Sequence, residues 1–172
     1  MTTTAPTVLR FLHREGTQDT DVFRSVLAAN EYRLPERFGP DDAIVDIGAH
    51  IGTFATACLL RGAGLVVCFE PCADNVDLLQ QNVHGFPGAV VCHAAVWGAD
   101  RSPNLRFSGY PEGFTACGTM LPFSSVGGVN RHIPVAVVSF DDVIRAVLVR
   151  TGGSRIRLVK IDAEGAEFPI LG

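Results

Sequence analysis

Short runs of apolar, β-branched residues alternate with helix-like segments over the first half of the chain, and this alternation constrains the fold more than any other feature. Three apolar runs, at 43–47, 65–69 and 89–92, are typical of strands buried on both faces. Between them, 53–60 and 74–83 carry helical patterns. This succession predicts right-handed βαβ units, and therefore an α/β fold with a doubly wound, mostly parallel sheet.

The N-terminal 1–40 region is interpreted as a lead-in to the main domain, which is expected to occupy 41–172. The lead-in contains a predicted amphipathic helix at 19–32, which begins at a Thr20 or Asp19 cap. The apolar face of this helix consists of Val22, Phe23, Val26 and Leu27. We therefore expect the helix to pack on the rest of the molecule.

The second half of the chain is less regular. The stretch at 98–133 is rich in glycine and proline but also contains aromatic residues, so we interpret it as an ordered excursion with the features of a flap over a site. A helix is predicted at 139–150, opened by a capping pair of Ser139 and Asp142. The last predicted element is a fourth buried strand at 156–161.

Composition excludes several classes of function. With 172 residues, 47% of them hydrophobic and 19% charged, the chain is expected to form one folded domain. The net charge of −4 and the scattered basic residues argue against nucleic acid as a partner. No apolar run has the length of a membrane span, and no secretory signal is present, so we expect no membrane partner and a cytoplasmic location. The five cysteines form no CxxC pairs and are interpreted as reduced structural thiols.

The turn after the first predicted strand, DIGAHIG at 46–52, is the strongest candidate binding site. Ligands of open α/β sheets bind at the carboxyl ends of the strands. Gly48 permits a tight turn and close approach to a ligand, and Gly52 permits close packing of the next helix. The spacing D-x-G-x-x-x-G differs from the G-x-G-x-x-G of dinucleotide sites, so an NAD(P)-dependent oxidoreductase is the less favoured enzyme class.

Acidic residues at the ends of the first two strands favour a different nucleoside cofactor. S-adenosylmethionine carries an ammonium, a carboxylate and a ribose, so it requires fewer amides than a pyrophosphate and a nearby acid such as Asp46. The second strand ends in Phe69-Glu70-Pro71, where sheets of this type hold an acceptor for ribose hydroxyls. The combination of Asp46 and Glu70 therefore favours S-adenosylmethionine.

Four motifs along the chain are VDIGAHIGTF at 45–54, FEP at 69–71, SFDD at 139–142 and LVKIDAEGAE at 158–167. Together they resemble the FkbM family of S-adenosylmethionine-dependent methyltransferases, over about residues 18–172. The pattern K-I-D-x-E-G-x-E is the most specific part of the resemblance. In the glycine turn, His50 stands where the family is expected to have asparagine.

The resemblance implies a Rossmann-like class I methyltransferase fold, with strands ordered 3-2-1-4 in this chain and the C-terminal strands of the full fold missing. It implies a cofactor site shared by three turns: Asp46, Gly48, His50 and Gly52 at the methionine end, Glu70 and Pro71 at the ribose, and Ala95 and Val96 at the adenine edge. It also implies that Asp162 faces the sulfonium methyl.

The implied activity is O-methylation of a hydroxyl on a sugar or secondary metabolite. We expect Asp162, or else Glu164, to accept the proton of that hydroxyl. The alternative role for Glu164 and Glu167 is capping or salt bridging of the next helix. These acids also suit a divalent cation, although no spacing specifies one and no metal is predicted. His132 is the substitute candidate for the base.

A non-catalytic reading of the sequence stays open beside the enzymatic one. The fourth strand is predicted to be an open edge that is apolar on both faces, which soluble proteins rarely leave exposed. The chain is therefore expected to be a fragment, to have a partner that covers this edge, or to be unstable alone. A binding module or remnant that retains only the cofactor half of the fold is the alternative to an active methyltransferase.

Overall fold

The computed structural model describes residues 10–99, 107–109, 118–119, 131–153, 155–163 and 166–172. Among the residues singled out from the sequence, Glu164, Cys117 and the side chain of His132 lie outside this part of the chain. Most of the predicted excursion at 98–133 also lies outside it.

The described residues form nine strands and five α-helices. In chain order the strands are β1 Ala43–Ile47, β2 Leu65–Glu70, β3 Ala89–His93, β4 Ala95–Trp97, β5 Phe107–Gly109, β6 Gly118–Thr119, β7 Arg131–Ile133, β8 Val137–Ser139 and β9 Ile156–Ile161. The helices are α1 Asp19–Phe23, α2 Thr53–Leu60, α3 Ala73–Val83, α4 Phe140–Arg150 and α5 Glu167–Leu171. A π-helical turn, Arg24–Ala28, continues directly from α1.

The central sheet is parallel and has the order β3-β2-β1-β9. This confirms the predicted α/β fold and the predicted order 3-2-1-4, because β9 is the fourth strand expected from the sequence. Strand β1 is buried along its whole length, as its mostly apolar run predicts. The chain leaves β1 toward β3 on one side and returns to β9 on the other, so the switch point of the sheet lies between β1 and β9.

Two apolar layers cover the faces of this sheet. Helices α2 and α3 and the lead-in helix pack on one face, where Ile44 of β1 lies in the core. Helices α4 and α5 pack on the other face together with β4 and β8, and Val45 and Ile47 of β1 point into that layer. Alternate side chains of β1 therefore point into the two apolar layers, and the candidate site lies at the carboxyl end of the strand.

The lead-in helix is shorter than its apolar pattern predicts. The positive φ angles of Asn30 (52°) and Arg33 (50°) lie beyond the π-helical turn, so Tyr32 is not helical. The predicted cap is also wrong: Asp19 is the first helical residue, and its carboxylate binds Arg14. An acidic residue near a helix start can either cap the helix or form an ion pair, and here the nearby Arg14 favours the ion pair.

The short strands β4 and β8 are additional to the four strands expected from the sequence. They pair in parallel with each other, with Ala95 opposite Val137. The predicted cap of the following helix is confirmed, because the Ser139 hydroxyl accepts a hydrogen bond from the Asp142 amide at 3.2 Å. Strands of three residues carry too little periodicity to be separated from loops by pattern alone.

The cysteines that the structure describes are free thiols. Cys58 and Cys68 are buried, and Cys72 and Cys92 are half-buried. Burial raises the pKa of the Cys58 thiol to about 12. These observations confirm the interpretation of buried, reduced thiols for Cys58 and Cys68. Across the described part of the chain, no helix has the length and apolar character needed to cross a bilayer.

Candidate functional site

The glycine turn after β1 is pressed against the end of β9. Gly48 has a φ of 74°, in the left-handed region that favours glycine. A Cβ atom at this position would collide with the backbone carbonyl of Asp162. The amides of Gly48 and Ala49 both donate to the Phe69 carbonyl at 3.0 Å, which fixes the turn to β2 as well. Gly48 therefore makes the predicted tight turn, and its Cβ position faces the backbone of Asp162, while the predicted close approach to a ligand stays a prediction.

A buried ion pair lies directly beneath this turn. The Lys160 ammonium is 3.0 Å from Oδ1 of Asp46 and donates to the Gly48 carbonyl at 2.7 Å. Burial raises the pKa of Asp46, and the neighbouring Lys160 opposes that effect. The second oxygen of Asp46, Oδ2, is buried and has no hydrogen-bond partner among the described residues. Asp46 therefore lies at the predicted position but is already neutralised by a lysine that sequence reasoning had not paired with it.

Glu70 joins the turn after β1 to the turn after β2. Its Oε2 atom accepts a hydrogen bond from the His50 amide at 2.8 Å. Its Oε1 atom accepts from the Cys72 amide at 2.9 Å and from the Asn75 side chain at 3.2 Å. The carboxylate is buried, and since a carboxylate accepts about four hydrogen bonds, it retains capacity for one further donor.

A charged network from the lead-in reaches the same two turns. Arg14 donates to both carboxylate oxygens of Asp19, which is fully buried, and to Oδ1 of Asn75 at 2.7 Å. The Nε2 atom of His50 lies 3.2 Å from Oδ1 of Asp19. His50 has a φ of 52°, a conformation that histidine and asparagine adopt more readily than most residues. Sequence reasoning missed Arg14 and gave Asp19 only a capping role, because the site residues they contact, Asn75 and His50, lie in other segments.

The lead-in and the sheet edge enclose a cleft of about 80 Å³. Gly48 and His50 of the glycine turn line it, together with Asp162 at the end of β9. Val22 and Tyr32 of the lead-in also line it. The Asp162 side chain is 54% exposed, which leaves its carboxylate accessible from the cleft. Three of the predicted site residues therefore meet around one opening.

Other predicted residues lie away from this cleft. Ala95 and Val96 are buried in β4, and the Ala95 amide donates to the Ala136 carbonyl at 2.8 Å. The Pro71 carbonyl lies 3.1 Å from Nε2 of His93. Gly52 serves packing against α3 rather than the predicted packing of the next helix on the sheet, because a Cβ there would come within 2.5 Å of the side chain of Leu79.

One contact of the acidic segment after β9 bears on the predicted role of Glu167. The Oε1 atom of Glu167 accepts a hydrogen bond from the Ala163 amide at 2.8 Å, and Glu167 is the first residue of α5. This contact supports the capping role for Glu167. Within the residues that the structure describes, no group of three or more potential ligands is placed to hold a metal ion.

The acceptor groups at this edge of the sheet fit the polar groups of S-adenosylmethionine. The unpartnered Oδ2 of Asp46 can accept one further hydrogen bond, the accessible carboxylate of Asp162 suits an ammonium group, and the remaining capacity of Glu70 suits a ribose hydroxyl. A parallel α/β sheet with a glycine turn after β1 and acids at the ends of β2 and β9 is the arrangement expected of a class I S-adenosylmethionine-dependent methyltransferase.

Residues 46–172 match the family model described as the methyltransferase FkbM domain. The chain therefore belongs to the FkbM methyltransferase family. It is 30% identical over 139 residues to the hexuronic acid methyltransferase AglP of Haloferax volcanii. The aligned residues cover 80% of this chain and 52% of that protein. The chain thus spans about half the length of that relative.

Solved methyltransferases are similar to parts of the chain. Phosphoethanolamine N-methyltransferase 1 of Haemonchus contortus, in complex with phosphoethanolamine and S-adenosylhomocysteine, has a TM-score of 0.37 and 23% identity over 45% of this chain and 16% of its own. A putative RNA methyltransferase of Pyrococcus horikoshii has a TM-score of 0.34 and 24% identity over 51% of this chain and 42% of its own. An S-adenosylmethionine-dependent methyltransferase of Leishmania major has a TM-score of 0.35 and 18% identity over 49% of this chain and 35% of its own.

Proposed function

We propose that the chain binds S-adenosylmethionine at the carboxyl edge of its sheet and methylates a hydroxyl of a sugar or secondary metabolite. One observation carries this proposal: the glycine turn is in contact with the Asp162 backbone, while the Asp162 carboxylate lines the cleft beside that turn. The cofactor turn and an acid suited to accept a proton are therefore parts of one opening.

The proposed cofactor contacts follow the three turns. The turn at Gly48, His50 and Gly52 would hold the methionine end, with Asp46 beneath it. Glu70 would accept a hydrogen bond from the ribose, beside Pro71, and the backbone at Ala95 and Val96 would border the adenine. When bound, the cofactor supplies a methyl group on a sulfonium, which is already a good leaving group.

The protein's own contribution is positioning and removal of one proton. As the acceptor oxygen gains the methyl group, its hydroxyl proton must leave, and the Asp162 carboxylate is proposed to take it. Holding the acceptor in line with the methyl group supplies much of the remaining rate enhancement. Glu164 is the second candidate for the proton acceptor.

The acceptor is proposed to be a uronic acid or another glycoside. The name of the relative AglP supports this choice, because that protein is a hexuronic acid methyltransferase. A further segment or a partner chain is proposed to cover the outer edge of β9. A cytoplasmic location, and the lack of nucleic acid and membrane partners, stay predictions.

Transfer of a tritiated methyl group from S-adenosylmethionine tests the proposal. The chain is incubated with p-nitrophenyl β-D-glucuronide and, in parallel, with p-nitrophenyl β-D-glucoside, which lacks the carboxylate. We expect labelled glucuronide, and a loss of roughly 10²–10⁴-fold in rate for Asp162→Asn. Asp141→Asn, at an exposed position on α4, is the matched control and should keep the full rate.

Two results would contradict the proposal. An Asp162→Asn variant as active as the wild type would exclude Asp162 as the proton acceptor. A chain that binds S-adenosylhomocysteine in calorimetry but methylates neither acceptor would favour the non-catalytic binding module.

A further inference from the structure

Tyr32 connects the lead-in to the proposed proton acceptor. Its hydroxyl donates a hydrogen bond to Oδ2 of Asp162 at 2.9 Å, across 130 positions of sequence. Both residues line the cleft described above. The contact therefore joins a residue outside the family-model match to the acid at the end of β9.

The ring of Tyr32 packs against Phe54 and lies near Lys160. It packs edge-on against Phe54, with ring centroids 5.1 Å apart and an interplanar angle of 77°. Phe54 is buried in the first turn of α2, directly after the glycine turn. The Lys160 ammonium lies 6.0 Å from the Tyr32 ring centroid and 5.7 Å from that of Phe54. These contacts hold the ring, and therefore its hydroxyl, in one position.

Two donors approach the same oxygen of Asp162. The Lys160 ammonium is 3.9 Å from Oδ2, the atom that already accepts the Tyr32 hydrogen bond. Burial, and then the nearby Asp162 carboxylate, raise the pKa of Tyr32, so its hydroxyl stays a donor at neutral pH. In the described residues both contacts fall on Oδ2, which leaves Oδ1 as the oxygen for a ligand.

We propose that Tyr32 is a positioning residue, which holds Asp162 through Oδ2 so that Oδ1 faces the acceptor hydroxyl. This inference rests on the proposed function. Tyr32 itself exchanges no proton with the acceptor. Through Tyr32, the lead-in therefore contributes a side chain to the proposed active site.

The variant Tyr32→Phe removes the hydroxyl and keeps the ring on Phe54. With p-nitrophenyl β-D-glucuronide as acceptor, kcat is expected to fall about tenfold or more, because a misplaced base loses its alignment. The acceptor KM, and the Kd of S-adenosylhomocysteine measured by calorimetry, are expected to change less than about twofold, because Tyr32 acts on Asp162 alone. Thr151→Val is the control, since it removes a hydroxyl that bonds the Val147 carbonyl on α4, and its kcat should be unchanged.

A double-mutant cycle with Asp162→Ala supplies a readout that needs no turnover. In urea unfolding, Tyr32→Phe is expected to destabilise the wild type more than it destabilises Asp162→Ala, because the alanine variant has already lost the acceptor of the hydrogen bond. Additive losses would overturn the inference, whether or not the glucuronide is the right acceptor.

The remaining outcomes separate the two claims. A wild-type chain that neither binds S-adenosylhomocysteine nor transfers methyl groups would overturn the proposed function, and this inference with it. An active wild type with an equally active Tyr32→Phe would overturn the inference alone. A rise in the Kd of S-adenosylhomocysteine that matches the fall in kcat would also overturn it, because the hydroxyl would then serve the cofactor.

Discussion

The Nζ atom of Lys160 lies 3.0 Å from Oδ1 of Asp46 on the neighbouring strand, with side-chain exposures of only 8% and 0%. The register of β1 and β9 sets the two residues opposite each other. Because the same ammonium donates to the Gly48 carbonyl, the pair joins the two central strands where the glycine turn begins. Its removal is therefore expected to affect both the stability of the fold and the site.

Lys160→Met tests this relationship by leaving Asp46 buried without its counter-charge. We expect the free energy of unfolding in urea to fall by about 3–5 kcal/mol, the usual penalty for breaking a buried pair. Arg157→Met, at an exposed position of the same strand, is the matched control and should change it by less than about 0.5 kcal/mol. Equal stability of the two variants would contradict the account.

The penalty of Lys160→Met is expected to depend on pH. Burial raises the pKa of Asp46 above its ordinary 3.8, so between that value and the raised one the native state binds more protons than the unfolded state. Stability due to Asp46 therefore increases as the pH falls through this window. The urea unfolding penalty of Lys160→Met should be smaller at acidic than at neutral pH, and a penalty that grows on acidification would be inconsistent with a raised pKa.

Gly48→Ala is expected to disrupt the site through a collision. The added Cβ would meet the Asp162 carbonyl, so the turn must move away from β9. Gly16→Ala is the control, because Gly16 has a similar φ of 72° but nothing within 4 Å of its Cβ position. We expect Gly16→Ala to cost about 1–2 kcal/mol of backbone strain, and Gly48→Ala to cost more. In calorimetry, only Gly48→Ala should weaken S-adenosylhomocysteine binding, by about tenfold or more.

Much of this fold follows from local patterns in the sequence. The run 43–47 is a strand because it is rich in β-branched, apolar residues, and Gly48 directly follows its strand while Glu70 ends the next one. The alternation of strands and helices then restricts the sheet to a few orders. For these reasons the sequence predicts that Gly48 and Glu70 lie at the carboxyl edge of the sheet.

The contacts that complete the site were not predictable in the same way. Tyr32 meets Asp162 only because the helix of the lead-in stops early and the chain reverses, which depends on positive φ angles at Asn30 and Arg33. The pairing of Asp46 with Lys160 depends on a register that shifts near the start of β1. Such contacts are decided by tertiary packing, which leaves no periodic signal.

Asn82 anchors the lead-in to the main domain. Its side chain accepts from the Leu12 amide at 2.6 Å and donates to the carbonyls of Leu12 and Ile51 at 2.9 and 2.8 Å. Asn82→Ala should lower the free energy of unfolding by about 1–3 kcal/mol and accelerate proteolysis of the lead-in. Gln81→Ala, at the exposed neighbouring position, should do neither. Equal proteolysis of the two variants would show that the lead-in is not held by these bonds.

Isothermal titration of the full chain with S-adenosylmethionine, beside a parallel titration with NAD⁺, tests the central claim most directly. The account predicts that one S-adenosylmethionine binds per chain, that Gly48→Ala weakens this binding, and that NAD⁺ gives no heat of binding. A chain that gives no heat with S-adenosylmethionine, or that binds NAD⁺ as tightly, would contradict it.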